Sequence, residues 1–179
     1  MDENDELVIL VDAGDREVGL EAKLVAHRRG HRHRAISVCV TDPAGRMLLQ
    51  RRAAGKYHSG GLWTNACCTH PRPGESVAEA AQRRLQEELG VTCPLQFLFL
   101  THYEAPVGAD LIENEIVHVF HGEYAGFVCP NPSEVDEFVW MSRQELLSDI
   151  EKRPDCYTYW FNYYVRVFGD AIFDGRKCA

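Results

Sequence analysis

Two residues apart in Trp63-Thr64-Asn65-Ala66-Cys67-Cys68-Thr69-His70-Pro71 stand a thiol, Cys68, and an imidazole, His70. Read as a strand ending at the proline, this stretch alternates its side chains between two faces. Thr64, Ala66, Cys68 and His70 then share one face, and Trp63, Asn65, Cys67 and Thr69 the other. A reactive sulfur and a metal-ligating nitrogen beside small residues suit the wall of a pocket. The same pattern also suits a buried strand, because free cysteine packs as a small hydrophobe. A second candidate is Glu113-Asn114-Glu115, whose carboxylates sit at strand spacing and point the same way. Like charges so placed repel unless they are exposed or a cation bridges them. The tract His31-Arg32-His33-Arg34 offers further imidazoles and, in isolation, reads as a solvated loop.

Composition limits what these groups serve. The chain has 179 residues, 45% of them hydrophobic, which favours one domain with a sizeable core. Its formal net charge of -8 disfavours non-specific binding to nucleic acid or an anionic membrane. An anionic substrate would need a local basic cluster. No apolar run approaches the roughly 20 residues of a membrane span. The acidic start, Met1 to Glu6, resembles neither a signal nor a transit peptide, and residues 1–6 are expected to be disordered. Seven cysteines without an export signal fit reduced thiols in a cytoplasm.

The elements that must position these groups follow from periodicity and turn signals. Leu7 to Val11 reads as a first strand, with a hairpin turn at Asp12-Ala13-Gly14-Asp15. Glu21 to Arg29, carrying Lys23 and His27, is a short helix or loop that ends at Gly30. Ala35 to Thr41 and Arg46 to Arg52 read as an antiparallel hairpin about Asp42-Pro43-Ala44-Gly45. Arg51 to Lys56 leaves it as a basic loop. The clearest helix starts at Ser76, where Glu79 completes a capping box. Val77, Ala81, Leu85 and Leu89 form its apolar stripe, and Gly90 stops it. Arg84 and Glu88, one turn apart, read as a surface ion pair. Pro94 to Tyr103 and Ile116 to Tyr124 read as strands, with a loop through Pro106 and Gly108 between them. Phe138 to Met141 closes the sheet. A second capping box, Ser142 with Glu145, opens a helix to Glu151, and Tyr157 to Phe168 is an aromatic-rich helix.

Residues 69–91 resemble the Nudix box. Glu75, Arg83, Leu85, Glu87, Glu88, Gly90 and Val91 match it, whereas Thr69 stands for a glycine and Arg84 for a glutamate. In Nudix hydrolases the glutamates hold metal ions against a diphosphate, so Arg84 weakens a hydrolase reading. With Thr64-Asn65, Cys67-Cys68-Thr69-His70-Pro71 and Glu113-Asn114-Glu115, the chain is similar to the type 1 isopentenyl-diphosphate Δ-isomerases. That resemblance implies a single domain over residues 1–179, an α/β (α+β) fold with a Nudix-type mixed sheet flanked by helices. By it, Cys68, Glu115, Tyr103 and Trp160 are the catalytic group, and Cys67 is not. His27, His33, His70, Glu113 and Glu115 match five ligands of one divalent metal, with His31 a rival for a place. Glu88 matches the ligand of a magnesium ion that arrives with the diphosphate. Lys23, Arg52, Lys56 and Arg84 match the diphosphate-binding cations.

The implied reaction moves a double bond, and the implied partner is a small-molecule diphosphate. One carbon of an unactivated alkene gains a proton and another loses one, through a tertiary carbocation. This needs acid and base on opposite sides. Glu115 with Tyr103 is expected to deliver the proton, Cys68 to act from the opposite face, and Trp160 to turn its ring toward the cation. Three histidines and two carboxylates suit manganese, zinc or magnesium. A monomer or weak homodimer in the cytoplasm is expected. The rival readings are a Nudix pyrophosphohydrolase acting on a nucleoside diphosphate derivative and a zinc-binding interaction module. The scarcity of Cys-x-x-Cys pairs speaks against the module.

Overall fold

The computed structural model describes residues 6–108 and 110–176. The expectation for residues 1–5 lies outside them, while Glu6 is described and pairs with Lys23 at 2.8 Å. The described residues form one nine-stranded mixed sheet with four helices. Leu7–Val11 (β1) and Glu17–Ala22 (β2) make the first hairpin, followed by the helix Lys23–Arg29 (α1). His33–Thr41 (β3) and Met47–Arg52 (β4) follow, then two short strands, Trp63–Thr64 (β5) and Cys67–Thr69 (β6). Val77–Leu89 (α2) leads to the long pair Leu95–Gly108 (β7) and Leu111–Glu123 (β8). Val135–Met141 (β9), Arg143–Lys152 (α3) and Tyr159–Asp174 (α4) complete the order, with a 3-10 turn at Pro154–Cys156.

β3 is the central strand because both its faces are apolar. Ile36, Val38 and Val40 pack toward α2, with Leu48, Leu85 and Leu89. Ala35 and Cys39 pack the other way, with Leu49, Val117, Val119, Phe161 and Ile172 under α3 and α4. Along one edge β3 pairs in parallel with β8 over its whole length. Along the other it meets β1 at Leu10↔His33, β6 at Ser37↔Cys68 and β4 at Thr41↔Met47. The expected β3–β4 hairpin is therefore joined only at its turn. Beyond it β4 takes β5 and β9 as neighbours, leaving β3 free for β6 and β8.

Three more expectations change in detail. The segment through Pro106 and Gly108 is strand rather than loop, with a register shift absorbed between those residues. The C-terminal helix continues to Asp174, and the expected end at Phe168 is a break in helical geometry (φ -125, ψ 21) next to Gly169. Both capping boxes form as read.

The Trp63 to His70 stretch is not one strand. Asn65 turns its amide inward and donates to Ser37 Oγ (2.9 Å), Val38 O (2.8 Å) and Cys67 O (3.1 Å). Strict alternation stops there, so Ala66 packs beside Cys67 on the α2 side rather than beside Cys68. From Cys67 onward alternation holds: Cys68 sits against Ser37 Oγ at 3.1 Å, away from Cys67. Asn65→Ala removes the donor to three buried acceptors. Leaving buried polar groups unpaired costs about 1–3 kcal/mol each when they stay dry. The variant should lose about 2–4 kcal/mol in urea unfolding, and an unchanged midpoint would exclude this role for the amide.

Candidate active site

Register brings the candidate residues to one face. In β8, Glu113 and Glu115 point the same way as Val117 and Val119, toward α4. Tyr103 of β7 is paired with Glu115, and Glu115 with His33 of β3. Four residues along β3, Ser37 faces Cys68 of β6. His70 follows β6, and its Nε2 lies 3.0 Å from Glu115 Oε1. α1 supplies His27, and Gly30 (φ 62) reverses the chain so that the His27 and His33 rings lie 4.7 Å apart. A side chain at Gly30 would be strained and would meet Ile112 at 3.4 Å. Asn114 points to the other side of β8 and donates to Gly30 O at 3.1 Å, tying this turn to the sheet.

Ligand atoms of His27, His33, His70 and Glu115 lie within 4.8 Å of one another, and all four residues are buried. His27 Nδ1 sits 2.8 Å from Lys23 O, and His33 Nδ1 2.8 Å from His31 O. Each Nδ1–H is thereby committed and each Nε2 presents a lone pair, the usual preparation of a ligating histidine. His33 Nε2 and His70 Nδ1 are buried without a hydrogen-bond partner. This donor set fits a divalent cation. His31 stands apart, paired with Glu21 at 2.6 Å and half exposed.

Glu113 does not join that group of four. Its ligand atom groups instead with His27 and His58. Glu113 and Glu115 are joined through Tyr103, whose hydroxyl lies 2.8 Å from one and 2.7 Å from the other. One phenol has one proton, so it can satisfy only one of these oxygens at a time. Burial and the charge of Glu115 raise Glu113 well above the usual carboxylate range. Burial pushes Glu115 up too, but His33 and His70 outweigh it and hold Glu115 well below that range. Burial raises Tyr103, reinforced by both carboxylates. Burial pushes the Cys68 thiol up to about 12, against the hydrogen bonds of Ser37 and Asn65, so it is a neutral thiol.

The same cavity is lined by Lys23, Arg52, Lys56 and Arg84 and by Glu88, Cys68, His70, Tyr103, Glu113, Glu115 and Trp160. Lys23 pairs with Glu6, while Lys56 and Arg84 both reach Glu134. Arg52 and Arg84 each keep a buried Nε–H without an acceptor. The Arg84–Glu88 pair is not the surface pair expected. Glu88 is buried, and besides Arg84 at 2.9 Å it accepts from Gln50 (2.8 Å) and from the Cys67 thiol (3.3 Å). Trp160 donates to Thr64 Oγ1 at 2.9 Å, and the Arg52 guanidinium lies 5.3 Å from its ring centre.

Sequence reasoning missed His58, Gln50 and Glu134. Lys56-Tyr57-His58 carried the only usable signal for His58, an aromatic and an imidazole directly after a cation. Gln50 and Glu134 have no local signature; only the pairing of β4 with β5 and β9 and the fold of α2 bring them here.

The family described as NUDIX domain matches residues 31–161. Among curated relatives, Isopentenyl-diphosphate Delta-isomerase 2 of Aromatoleum aromaticum is 53% identical over 153 residues, covering 86% of this chain and 81% of the relative. The Isopentenyl-diphosphate Delta-isomerase of Serratia proteamaculans is 46% identical, covering 92% of each chain. Among solved structures, DR0079 from Deinococcus radiodurans superposes with a TM-score of 0.69 at 21% identity, covering 82% of this chain and 90% of its own. A MutT NUDIX hydrolase from Burkholderia pseudomallei gives a TM-score of 0.61 at 18% identity, covering 77% and 98%. At these identities the two structures speak for the fold alone. No helix among the described residues is long and apolar enough to cross a membrane.

The buried histidines carry a pH signature. Burial and the neighbouring histidines hold His27 down at about 3, and burial and Arg52 hold His58 down at about 2. Both are neutral in the folded chain, whereas a histidine in the unfolded chain titrates near about 6.5. Below that pH the unfolded state binds more protons, so stability present above it is lost on acidification. The chelator-treated protein should lose on the order of 4 kcal/mol between about pH 7 and pH 5 from these two groups. Urea midpoints at the two pH values test this, and a flat profile would show that these imidazoles are not buried neutral.

Proposed function

We propose a division of labour among these side chains from the premise that the chain belongs to the isopentenyl-diphosphate Delta-isomerase family, within the NUDIX superfamily, and interconverts isopentenyl and dimethylallyl diphosphate. The observation that carries the assignment is the meeting, at one cavity, of a neutral thiol, two tyrosine-bridged carboxylates and four cations.

Arg52, Lys56, Arg84 and Lys23 bind the diphosphate, and the two acceptor-free guanidinium N–H groups supply charge-assisted hydrogen bonds to it. Glu88, held by Gln50, Cys67 and Arg84, would hold the magnesium that accompanies the diphosphate. His27, His33, His70 and Glu115 would hold manganese, zinc or magnesium, with Glu113, which stands just outside that group, turning in as the fifth ligand; the ion supplies fixed positive charge beside the paired carboxylates. Because Arg84 stands where Nudix hydrolases carry a metal-binding glutamate, the hydrolase reading has less support.

Cys68 and the Glu115–Tyr103 pair flank the alkene. Cys68 comes from β6 and Glu115 from β8, with β3 between them. With Cys68 a thiol and Glu115 a carboxylate, Cys68 is the proton donor and the Glu115–Tyr103 pair the acceptor. From this state Cys68 gives its proton to one alkene carbon while Glu115, through Tyr103, removes one from the other. The opposite direction starts from the opposite loading, as reversibility requires. The carbocation between the two steps is sheltered by Trp160 and the aromatic lining, which keep out water that would trap it as an alcohol. One chain supplies every named group, which supports a monomer or weak homodimer. The described cysteines are free, which supports a reducing cytoplasm.

Turnover in heavy water should place deuterium in the dimethylallyl product, and phosphate release without deuterium uptake would overturn the reaction course. Cys68→Ala should lose roughly a hundredfold or more in turnover at little cost in melting temperature. Cys67→Ala should keep most activity and lose about 1 kcal/mol of stability. Should Cys67→Ala be the inactive variant, the role given to Cys68 fails.

A further inference from the structure

Glu134 has no part in the scheme above, yet it lines the same cavity and sits among the cations that take the diphosphate. Its carboxylate pairs with Lys56 and lies 3.3 Å from one terminal nitrogen of Arg84. That nitrogen also reaches Glu88 at 2.9 Å, and the other reaches Glu87 at 2.9 Å. Three carboxylates thus hold the Arg84 fork, and its buried Nε–H is left without an acceptor. We propose that Glu134 is a positioning residue for this reaction, a fixed internal anion that shares Lys56 and Arg84 with the diphosphate. It steadies these cations in the empty site and loosens their hold on the bound headgroup. The inference rests on the reading that they bind the diphosphate.

The backbone keeps the carboxylate in place. Glu134 N donates to Asn131 O at 2.9 Å, and Glu134 O accepts from Ala53 N at 2.9 Å. Asn131 N donates to Glu88 O at 2.8 Å, and the Asn131 side chain accepts from Ser133 Oγ at 2.8 Å. This turn is tied both to the end of α2, which carries Arg84, and to the exit of β4, which leads to Lys56. A carboxylate so anchored stays close to an arriving headgroup. Its side chain is 17% exposed, so solvent screens it poorly. Burial pushes Glu134 up, but Lys56 and Arg84 outweigh it and hold it below the usual carboxylate range, so it is an anion. In the empty site that charge offsets two part-buried cations. In the loaded site it repels the phosphate oxygens that they attract. Substrate and product carry the same headgroup, so the anion eases exchange of one for the other and leaves the chemical step to Cys68 and Glu115.

Inorganic pyrophosphate is the probe, used in excess magnesium as a competitive inhibitor of the full-length enzyme and as a stabiliser in urea unfolding. Glu134→Gln should lower its Ki, and the KM for isopentenyl diphosphate, by roughly tenfold, while kcat stays level or falls. Without pyrophosphate the urea midpoint of this variant should lie below that of the wild type, and pyrophosphate should raise it by more. Glu134→Asp keeps the charge and should return Ki to within about threefold of the wild type. Ki is read on active molecules, so a partly unfolded variant still reports. A Ki that rises or stays level in Glu134→Gln would overturn the proposal, because a purely structural carboxylate gives that result. So would a Glu134→Asp variant that matches Glu134→Gln. Lys56→Gln and Arg84→Gln should each raise Ki. Should both leave it unchanged, the reading of the diphosphate site falls and takes the proposal with it, an outcome told apart because Glu134 is intact in both variants.

Discussion

Two buried carboxylates share one phenolic proton. Glu113 and Glu115 are 3% and 6% exposed, and Tyr103 lies within 2.8 Å of both. A strand repeats every two residues, so both carboxylates must face the same side of β8. Two unscreened charges cannot remain together there without a proton or a cation. The surrounding architecture answers this constraint. β3 brings His33 into register with Glu115, the end of β6 adds His70, and the turn at Gly30 folds His27 of α1 over them. Each of these side chains is costly to bury alone. Around one divalent ion they become mutually supporting.

The cations of the same cavity pose the complementary problem. Lys23, Arg52, Lys56 and Arg84 crowd one side of a chain whose net charge is -8. Glu6 and Glu134 partly neutralise them. Arg52 and Arg84 still carry buried N–H groups with no acceptor, which a diphosphate would satisfy. Cys68, Val117, Trp160 and Tyr164 add a neutral part to the lining. Phosphate oxygens suit the cations of this lining, and a short hydrocarbon suits the neutral groups beside thiol and carboxylate.

Much of this was legible because it depends on short-range periodicity. The capping boxes at Ser76 and Ser142, the shared face of Glu113 and Glu115, and the opposition of Cys67 and Cys68 follow from local rules. What failed were inferences in which a local rule met a tertiary demand. The hairpin of β3 and β4 opens because a strand apolar on both faces recruits neighbours on both edges. Alternation through Ala66 breaks because Asn65 spends its amide on the backbone of β3. Arg84 and Glu88 looked like a surface pair because i,i+4 spacing says nothing of what α2 packs against. His58 lay unread because its partners are Glu113 and His27, 55 and 31 positions away in the chain.

The central claim is that a divalent ion sits among imidazoles and carboxylates and that no thiolate ligates it, although two cysteines lie nearby. X-ray absorption on zinc-reconstituted protein measures this shell directly. The account predicts nitrogen and oxygen neighbours at about 2.0–2.2 Å with the outer-shell pattern of several imidazoles. A sulfur neighbour at about 2.3 Å, or a shell without imidazole scattering, would contradict it.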